Sequence, residues 1–352
     1  MIKIEQTSEI IAFLKECQLN ILNDQKNTFL NRKVSLGTHS MMQEKMAKAG
    51  FHEFIGDKAH WPSLFYATDE FKLNPYFQAV PFQSSLTHGV QVNTMTFVSH
   101  RLFNLLSVVD DPYHALNDSM VLRALDKPLT TNILMKANEV WMMNVPSESM
   151  TIDPIAQKVS GRVLTFGLGI GYFVFMASLN PNVTSIDVVE NDRDVIAYFK
   201  EYLLPYFPNK VRFNIHHDDA LVWMKKPLHD YDHIFVDTYQ NEQDGFYWWI
   251  KGCEFIKKDY PHVHYWIEPS ITRIMRVALL AVLSNQKGRF DPMTRQCIEK
   301  IRAYYHTHDL ICHHVSDLKK VLYDHQLYRT IASTPEFNQS KSNQTKKHKS
   351  NP

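Results

Sequence analysis

The chain has 352 residues, 44% of them hydrophobic and 21% charged, a composition that excludes a disordered or fibrous protein and leaves room for two domains. Its 38 Lys and Arg balance 37 Asp and Glu to a formal charge of +1, so no global field draws it to nucleic acid or to an anionic membrane. The four cysteines, Cys17, Cys253, Cys297 and Cys312, make no CxxC pair and no disulfide-like framework, which predicts free thiols in a reducing, cytoplasmic setting.

From Ser8 onward, Ile10, Phe13, Leu14, Cys17, Ile21 and Leu22 recur at helical spacing, which predicts an amphipathic helix packed on the rest of an N-terminal region. Lys15 and Glu16 interrupt its apolar cluster too early for a signal peptide. Pro75 to His100 carries short alternations such as Val90-Gln91-Val92 and predicts a few strands, followed by a helix over Arg101 to Val108. A helical period returns between Leu116 and Val145, until Val145-Pro146-Ser147-Glu148-Ser149 breaks it. Residues 1–150 therefore read as an N-terminal α+β region of unassigned fold, with a domain boundary at its end. Asn74-Pro75-Tyr76-Phe77 has the letters of an amino-methyltransferase motif but precedes the glycine turn described next, so it carries no weight.

Residues 151–332 read as alternating elements: helix from Thr151, strand at Arg162 to Phe166, helix at Tyr172 to Leu179, strand at Thr184 to Val189, helix at Arg193 to Leu204 and strand at Val211 to His216. A fourth strand at Asp232 to Val236, a helix at Tyr247 to Ile256 and a fifth strand at His262 to Ile267 follow, and helical patterns dominate after Ile271. Such alternation predicts βαβ units and a parallel sheet. The apolar run Val163 to Leu179 imitates a membrane span, but three glycines at its front and Asn180-Pro181-Asn182 behind it predict strand, turn, helix and loop. Residues 333–352, rich in Ser, Asn, Gln and Lys, read as a disordered polar basic tail in which Lys346-Lys347-His348-Lys349 is solvated.

The chemistry concentrates at the strand ends. The hydrophobic strand Val163 to Phe166 runs into Gly167-Leu168-Gly169-Ile170-Gly171, where glycine permits a tight turn and close approach of the backbone to a ligand. Glu190 ends the second strand about 20 residues on, placed to accept hydrogen bonds from ribose hydroxyls. Asp218-Asp219-Ala220 ends the third, where Asp219 or its neighbour can hold an adenine amino group beside the small Ala220, or Asp219 can simply cap the next helix. Asp237 ends the fourth strand, with Tyr239 close behind. The run Phe246-Tyr247-Trp248-Trp249 reads as core, and the histidine pairs His262/His264 and His313/His314 lack the pairing of a zinc site, so no metal is expected.

The segment Val163 to Asp237, with its extension to Glu268, resembles the class I S-adenosylmethionine-dependent methyltransferases, and within them the spermidine synthase branch. The resemblance implies a doubly wound, Rossmann-like α/β methyltransferase sheet, here with the additional N-terminal α+β region. It implies S-adenosylmethionine as cofactor, with Gly167, Gly169 and Gly171 along its methionine and ribose, Glu190 on the ribose hydroxyls, Asp219 on the adenine with Asp218 and Ala220 beside it, and Asp237 facing the transfer centre with Tyr239 near it. Two departures shape the expected activity. Thr165 stands where many methyltransferases carry an acid, and Ile170 and Asp237-Thr238-Tyr239-Gln240-Asn241 replace an Asp in the glycine turn and an Asp-x-x-Asp-Pro step of spermidine synthases. The expectation is therefore methyl transfer to an unidentified acceptor, with aminopropyl transfer, or an inactive S-adenosylmethionine-binding scaffold, as alternatives. A nicotinamide dehydrogenase fits less well, because Tyr172 breaks the G-x-G-x-x-G spacing. The expected partners are the acceptor and, as an option, a second copy in a homodimer, with no strong nucleic-acid signal and no membrane.

Overall fold

A computed structural model describes residues 1–21, 24–81, 85–87, 89–208, 211–256 and 262–334. The chain forms two compact units, one made of residues 1–21 and 272 onward, the other of residues 22–271. Almost all of the predicted tail, from residue 335, lies outside the described residues, as does Leu22.

In the smaller unit, Ile2–Ile4 pairs in parallel with Leu310–Cys312. Helix Ser8–Ile21 buries the predicted face, Ile10, Phe13, Leu14, Cys17 and Ile21. It does so in the unit it shares with helices Pro292–Thr307, Val315–Leu322 and His325–Ala332, and not with the rest of the N-terminal region. The cause is a pairing of strands some three hundred residues apart, which no local pattern reveals. The N-terminal ammonium reinforces it by donating to the carbonyl of Tyr305 at 2.7 Å.

The larger unit holds the parallel sheet that the alternation predicts. Its strands are β1 (Gly161–Phe166), β2 (Val183–Glu190), β3 (Arg212–His217), β4 (His233–Val236) and β5 (Val263–Tyr265), in the order β3-β2-β1-β4-β5. Every neighbouring pair is parallel and helices lie on both sides, a Rossmann-like arrangement. Buried Val163, Ile186, Val188, Phe173 and Phe235 belong to its main core. No helix among the described residues is long and apolar enough to cross a membrane.

The N-terminal part of this unit is richer in strand than its spacing predicts. The expected helix at Arg101 to Val108 is strand Leu102–Val109, antiparallel to Ser119–Leu125. The helical period of Leu116 to Val145 resolves into Ser119–Leu125, Leu129–Lys136 and Glu139–Met143. Sheet pairing overrides spacing here because several of these strands bury side chains on both faces and so lack a clean alternation. The hairpin between the last two turns on Ala137 and Asn138, both at positive φ (50° and 66°), the backbone of a type I′ turn without its usual Asn-Gly sequence. Val145 to Ser149, read as a helix breaker, instead begins helix Pro146–Ala156, since a proline at the first helical position has no amide to lose.

Candidate functional site

The order of the sheet reverses at β1, with β2 and β3 on one side and β4 and β5 on the other. Open α/β sheets bind ligands outside the carboxyl ends of the strands at such a reversal. Three backbone hydrogen bonds hold those ends in register: Gly167 N to Val189 O at 3.0 Å, Asp237 N to Phe166 O at 2.9 Å and Asp218 N to Glu190 O at 3.2 Å. A cavity of about 350 Å³ opens there, within the usual size of a small-molecule site.

Of the residues expected from sequence, Gly167, Gly169, Glu190, Asp218, Ala220, Asp237 and Tyr239 line this cavity. Gly167 has φ of 96°, and a β-carbon there would meet the carbonyl oxygen of Asp237 at 1.9 Å, so only glycine lets β1 and β4 approach this closely. Gly171 does not line the cavity. It opens helix Tyr172–Ser178 in a left-handed conformation, and a β-carbon would strike the Phe199 ring at 2.5 Å, which makes it a packing residue. Asp219 also lies off the cavity wall and caps helix Ala220–Met224 by accepting from Leu221 N at 2.6 Å and Val222 N at 3.2 Å. Asp218 is the acid of that pair on the wall. Hydrogen bonds from Asp219 N and Trp223 Nε1, both 2.8 Å, hold its carboxyl below the ordinary range.

Glu190 is buried, and each of its oxygens accepts a backbone bond, from Asp192 N at 2.9 Å and Leu168 N at 3.0 Å. Burial nevertheless raises its pKa, with those bonds acting the other way. The glutamate thus ties the glycine turn to the end of β2 and keeps lone pairs for a ligand. Tyr239 is buried, with its ring stacked on Trp266 and its hydroxyl donating to the carbonyl of Trp266 at 2.5 Å. Burial, then the charges of Asp237 and Glu268, raise the pKa of that hydroxyl well above its ordinary value.

The structure adds residues that the sequence reading leaves aside. Glu148, in the first turn of helix Pro146–Ala156, faces the same cavity as Asp237. Burial, then the charge of Asp237, pushes Glu148 up to about 8; burial, then the charge of Glu190, pushes Asp237 up to about 7. Neither side chain has a hydrogen-bond partner among the described residues. Trp141 and Met142 from Glu139–Met143, and Trp248 and Trp266, supply apolar wall. Of the aromatic run, Phe246 and Trp249 are core as expected, whereas Trp248 reaches the cavity. A proline followed by an acid two residues on is a helix-start signal that would have placed Glu148 at a helix N-terminus.

The step Asn74-Pro75-Tyr76-Phe77 has a structural use. Tyr76, buried, donates its hydroxyl to the carbonyl of Ile170 at 2.6 Å, and Asn74 Nδ2 donates to the Tyr172 hydroxyl at 2.7 Å. The glycine turn is thereby clamped from outside the sheet.

Five carboxyls line the cavity, those of Glu148, Glu190, Asp218, Asp237 and Asp244, and no Lys, Arg or His does so among the described residues. Asp244 is committed to the helix it starts, accepting from Gln240 N at 2.9 Å and Asn241 N at 3.0 Å. The described lining is thus acid-rich and tryptophan-walled, with Lys226 beside it, 3.5 Å from Asp218 Oδ2. No curated protein matches the chain. Residues 142–245 match the family model of the spermine/spermidine synthase domain, a span that begins at Met142 and takes in Glu148, the glycine turn and Asp237. The parallel sheet and the match over residues 142–245 fit the spermidine synthase-like branch of the class I S-adenosylmethionine-dependent methyltransferase fold, and the match supports a transferase at the coarse level.

Proposed function

We propose that the larger unit transfers an aminopropyl group from decarboxylated S-adenosylmethionine to a cationic amine. The observation that carries this reading is the pair Glu148 and Asp237, two carboxyls that, among the described residues, have no hydrogen-bond partner and share a wall with no basic side chain. A donor carrying a sulfonium and an ammonium, but no carboxylate, suits that charge pattern better than S-adenosylmethionine itself, whose carboxylate would face acids only. Glu190 would take the ribose hydroxyls, Asp218 the adenine edge beside Ala220, and the turn at Gly167 and Gly169 the chain running to sulfur. Asp219 would act through the turn it caps, Gly171 through packing, and Tyr239 as a wall.

The reaction is a displacement. The acceptor nitrogen donates its lone pair to the carbon bound to sulfur, the carbon–sulfur pair returns to sulfur, and the thioether methylthioadenosine leaves. The acceptor ammonium must first shed a proton to expose that lone pair, and Asp237, with its pKa raised to about 7, is suited to receive it near neutral pH. Positioning supplies the rest of the catalysis, since the sulfonium is already activated.

Methyl transfer from S-adenosylmethionine is the second reading. It is favoured by Ile170, an apolar, buried side chain inside the glycine turn where an aminopropyl ammonium would call for an acid. The two are separated by incubating the full chain with each donor and a set of diamines, and identifying the released thioether. Methylthioadenosine from the decarboxylated donor, reduced by about a hundredfold or more in Asp237→Asn, supports aminopropyl transfer. S-Adenosylhomocysteine alone would replace it with the methyl reading, and donor binding with neither product would leave a binding scaffold.

A further inference from the structure

Apart from the cavity at the sheet edge, the larger unit brings together His52, Asp111 and His114. His52 begins the short 3₁₀ turn His52–Phe54, between the fully buried Phe51 and Phe54. Asp111 and His114 lie one turn apart in the connection between strands Leu102–Val109 and Ser119–Leu125. His52 Nδ1 is 2.7 Å and His114 Nδ1 is 2.8 Å from the same oxygen, Asp111 Oδ2. The two rings stack with centroids 3.7 Å apart and planes at 24°. Ser119 Oγ lies 3.3 Å from both His52 Nδ1 and Asp111 Oδ2.

We infer that His52, Asp111 and His114 form a binding site for a divalent transition-metal ion of the zinc type. Two imidazole nitrogens and one carboxylate oxygen are a donor set that such ions accept, and the ligand atoms of all three lie within 4.8 Å of one another. In the Nε2–H tautomer each ring turns its Nδ1 lone pair toward the Asp111 oxygen, so an ion entering there meets three donors without any change of ring orientation. Adjacent ligands of a tetrahedral ion sit about 3.3 Å apart, given bonds of roughly 2.0–2.1 Å. The cluster must therefore open by about half an ångström, and His114, on the loop with its side chain 43% exposed, can shift more readily than His52, whose side chain is 10% exposed.

The loop is shaped to hold this geometry. Tyr113 N donates to Asp111 Oδ1 at 3.1 Å, while Oδ2 meets the two histidines and Ser119 Oγ. Ala115 and Leu116 take left-handed backbones, φ of 45° and 63°, and both are buried, a strained arrangement for residues with side chains. Lys26 opposes a cation here, since its charge acts on His52, but its ammonium donates to the carbonyl of Asp118 at 2.6 Å. Sequence spacing cannot announce the site, because His52 and Asp111 are 59 residues apart.

The test uses the metal-stripped full chain, titrated with Zn²⁺ and, separately, with Co²⁺ followed by visible absorption. The wild type should bind with a cobalt spectrum of nitrogen and oxygen ligation. His114→Ala, at a half-exposed position, should lose one equivalent of zinc or weaken it at least a hundredfold, with circular dichroism unchanged. His52→Ala and Asp111→Asn should do the same where they fold. Glu148→Gln, in the acidic cavity, should leave that equivalent in place. Zinc binding unchanged in His114→Ala, or lost in Glu148→Gln instead, would overturn the assignment, as would a wild type that binds neither ion; the three residues would then be a hydrogen-bonded brace for the loop.

Discussion

Asp237 places its carbonyl oxygen where a β-carbon on Gly167 would stand, 1.9 Å from it, so the glycine turn and the end of β4 are fitted to each other through the backbone. Gly167→Ala must both push β4 aside and hold alanine at φ of 96°. A left-handed residue alone costs roughly 1–2 kcal/mol, and the displaced strand adds to that. The variant should fold with a melting temperature lowered by about 3 °C or more and bind donor at least tenfold more weakly. Calorimetric titration and thermal melting check both. Wild-type affinity in Gly167→Ala would show that the close approach is dispensable.

Glu148 gives the unliganded protein a distinctive dependence on pH. Its pKa rises from the ordinary 4.5 to about 8 on folding, so the folded state holds the proton more tightly than the unfolded chain. That stabilisation is complete below pH 4.5 and is lost as pH rises through about 8. Glu148→Gln should therefore melt higher than wild type at pH 8.5, by roughly 3 °C or more, and nearly equal to it at pH 5. A cationic ligand acts in the opposite sense, since it needs the ionised carboxyls, and its affinity should increase between pH 6 and pH 8.5. Equal melting curves at both pH values would show that Glu148 is not desolvated.

Asp218 and Asp219 can be separated by their partners. Asp219→Ala removes the cap of helix Ala220–Met224, a loss of about 1 kcal/mol, with donor affinity changed only a few-fold. Asp218→Asn should spare stability and weaken an adenosine-containing ligand by about tenfold, because Asp218 is the acid on the cavity wall. The reverse pattern, in which Asp219→Ala abolishes binding in a fully stable protein, would return the adenine to Asp219.

Tyr76→Phe tests the clamp on the glycine turn. It leaves the buried carbonyl of Ile170 without the bond now made at 2.6 Å, at a cost of about 1–3 kcal/mol. The melting temperature should drop by several degrees and donor affinity should decline with it. An unchanged variant would mean that the turn is held by the sheet alone.

The parallel sheet was legible because each βαβ step left its own mark: an apolar strand, a turn and a helix at regular intervals. The strand ends followed from it, since parallel strands in register carry their last residues to one edge, where Gly167, Glu190, Asp218 and Asp237 meet. Trp141 and Met142 were hidden for a physical reason: their strand belongs to a sheet whose apolar spacing imitates a helix. Glu148 was hidden because Pro146 reads as a breaker unless it is recognised as a helix start. The pairing of Ile2–Ile4 with Leu310–Cys312, and the convergence of His52 on Asp111, depend on contacts between remote segments and leave no local signal.

On the proposed reading the cavity takes a doubly cationic adenosyl sulfonium. Calorimetric titration of the full chain with decarboxylated S-adenosylmethionine and with S-adenosylmethionine, each repeated on Glu190→Ala, tests it most directly. The decarboxylated donor should bind at least tenfold more tightly than S-adenosylmethionine, and Glu190→Ala should abolish the binding of both. Tighter binding of S-adenosylmethionine, or binding that survives Glu190→Ala undiminished, would contradict that reading.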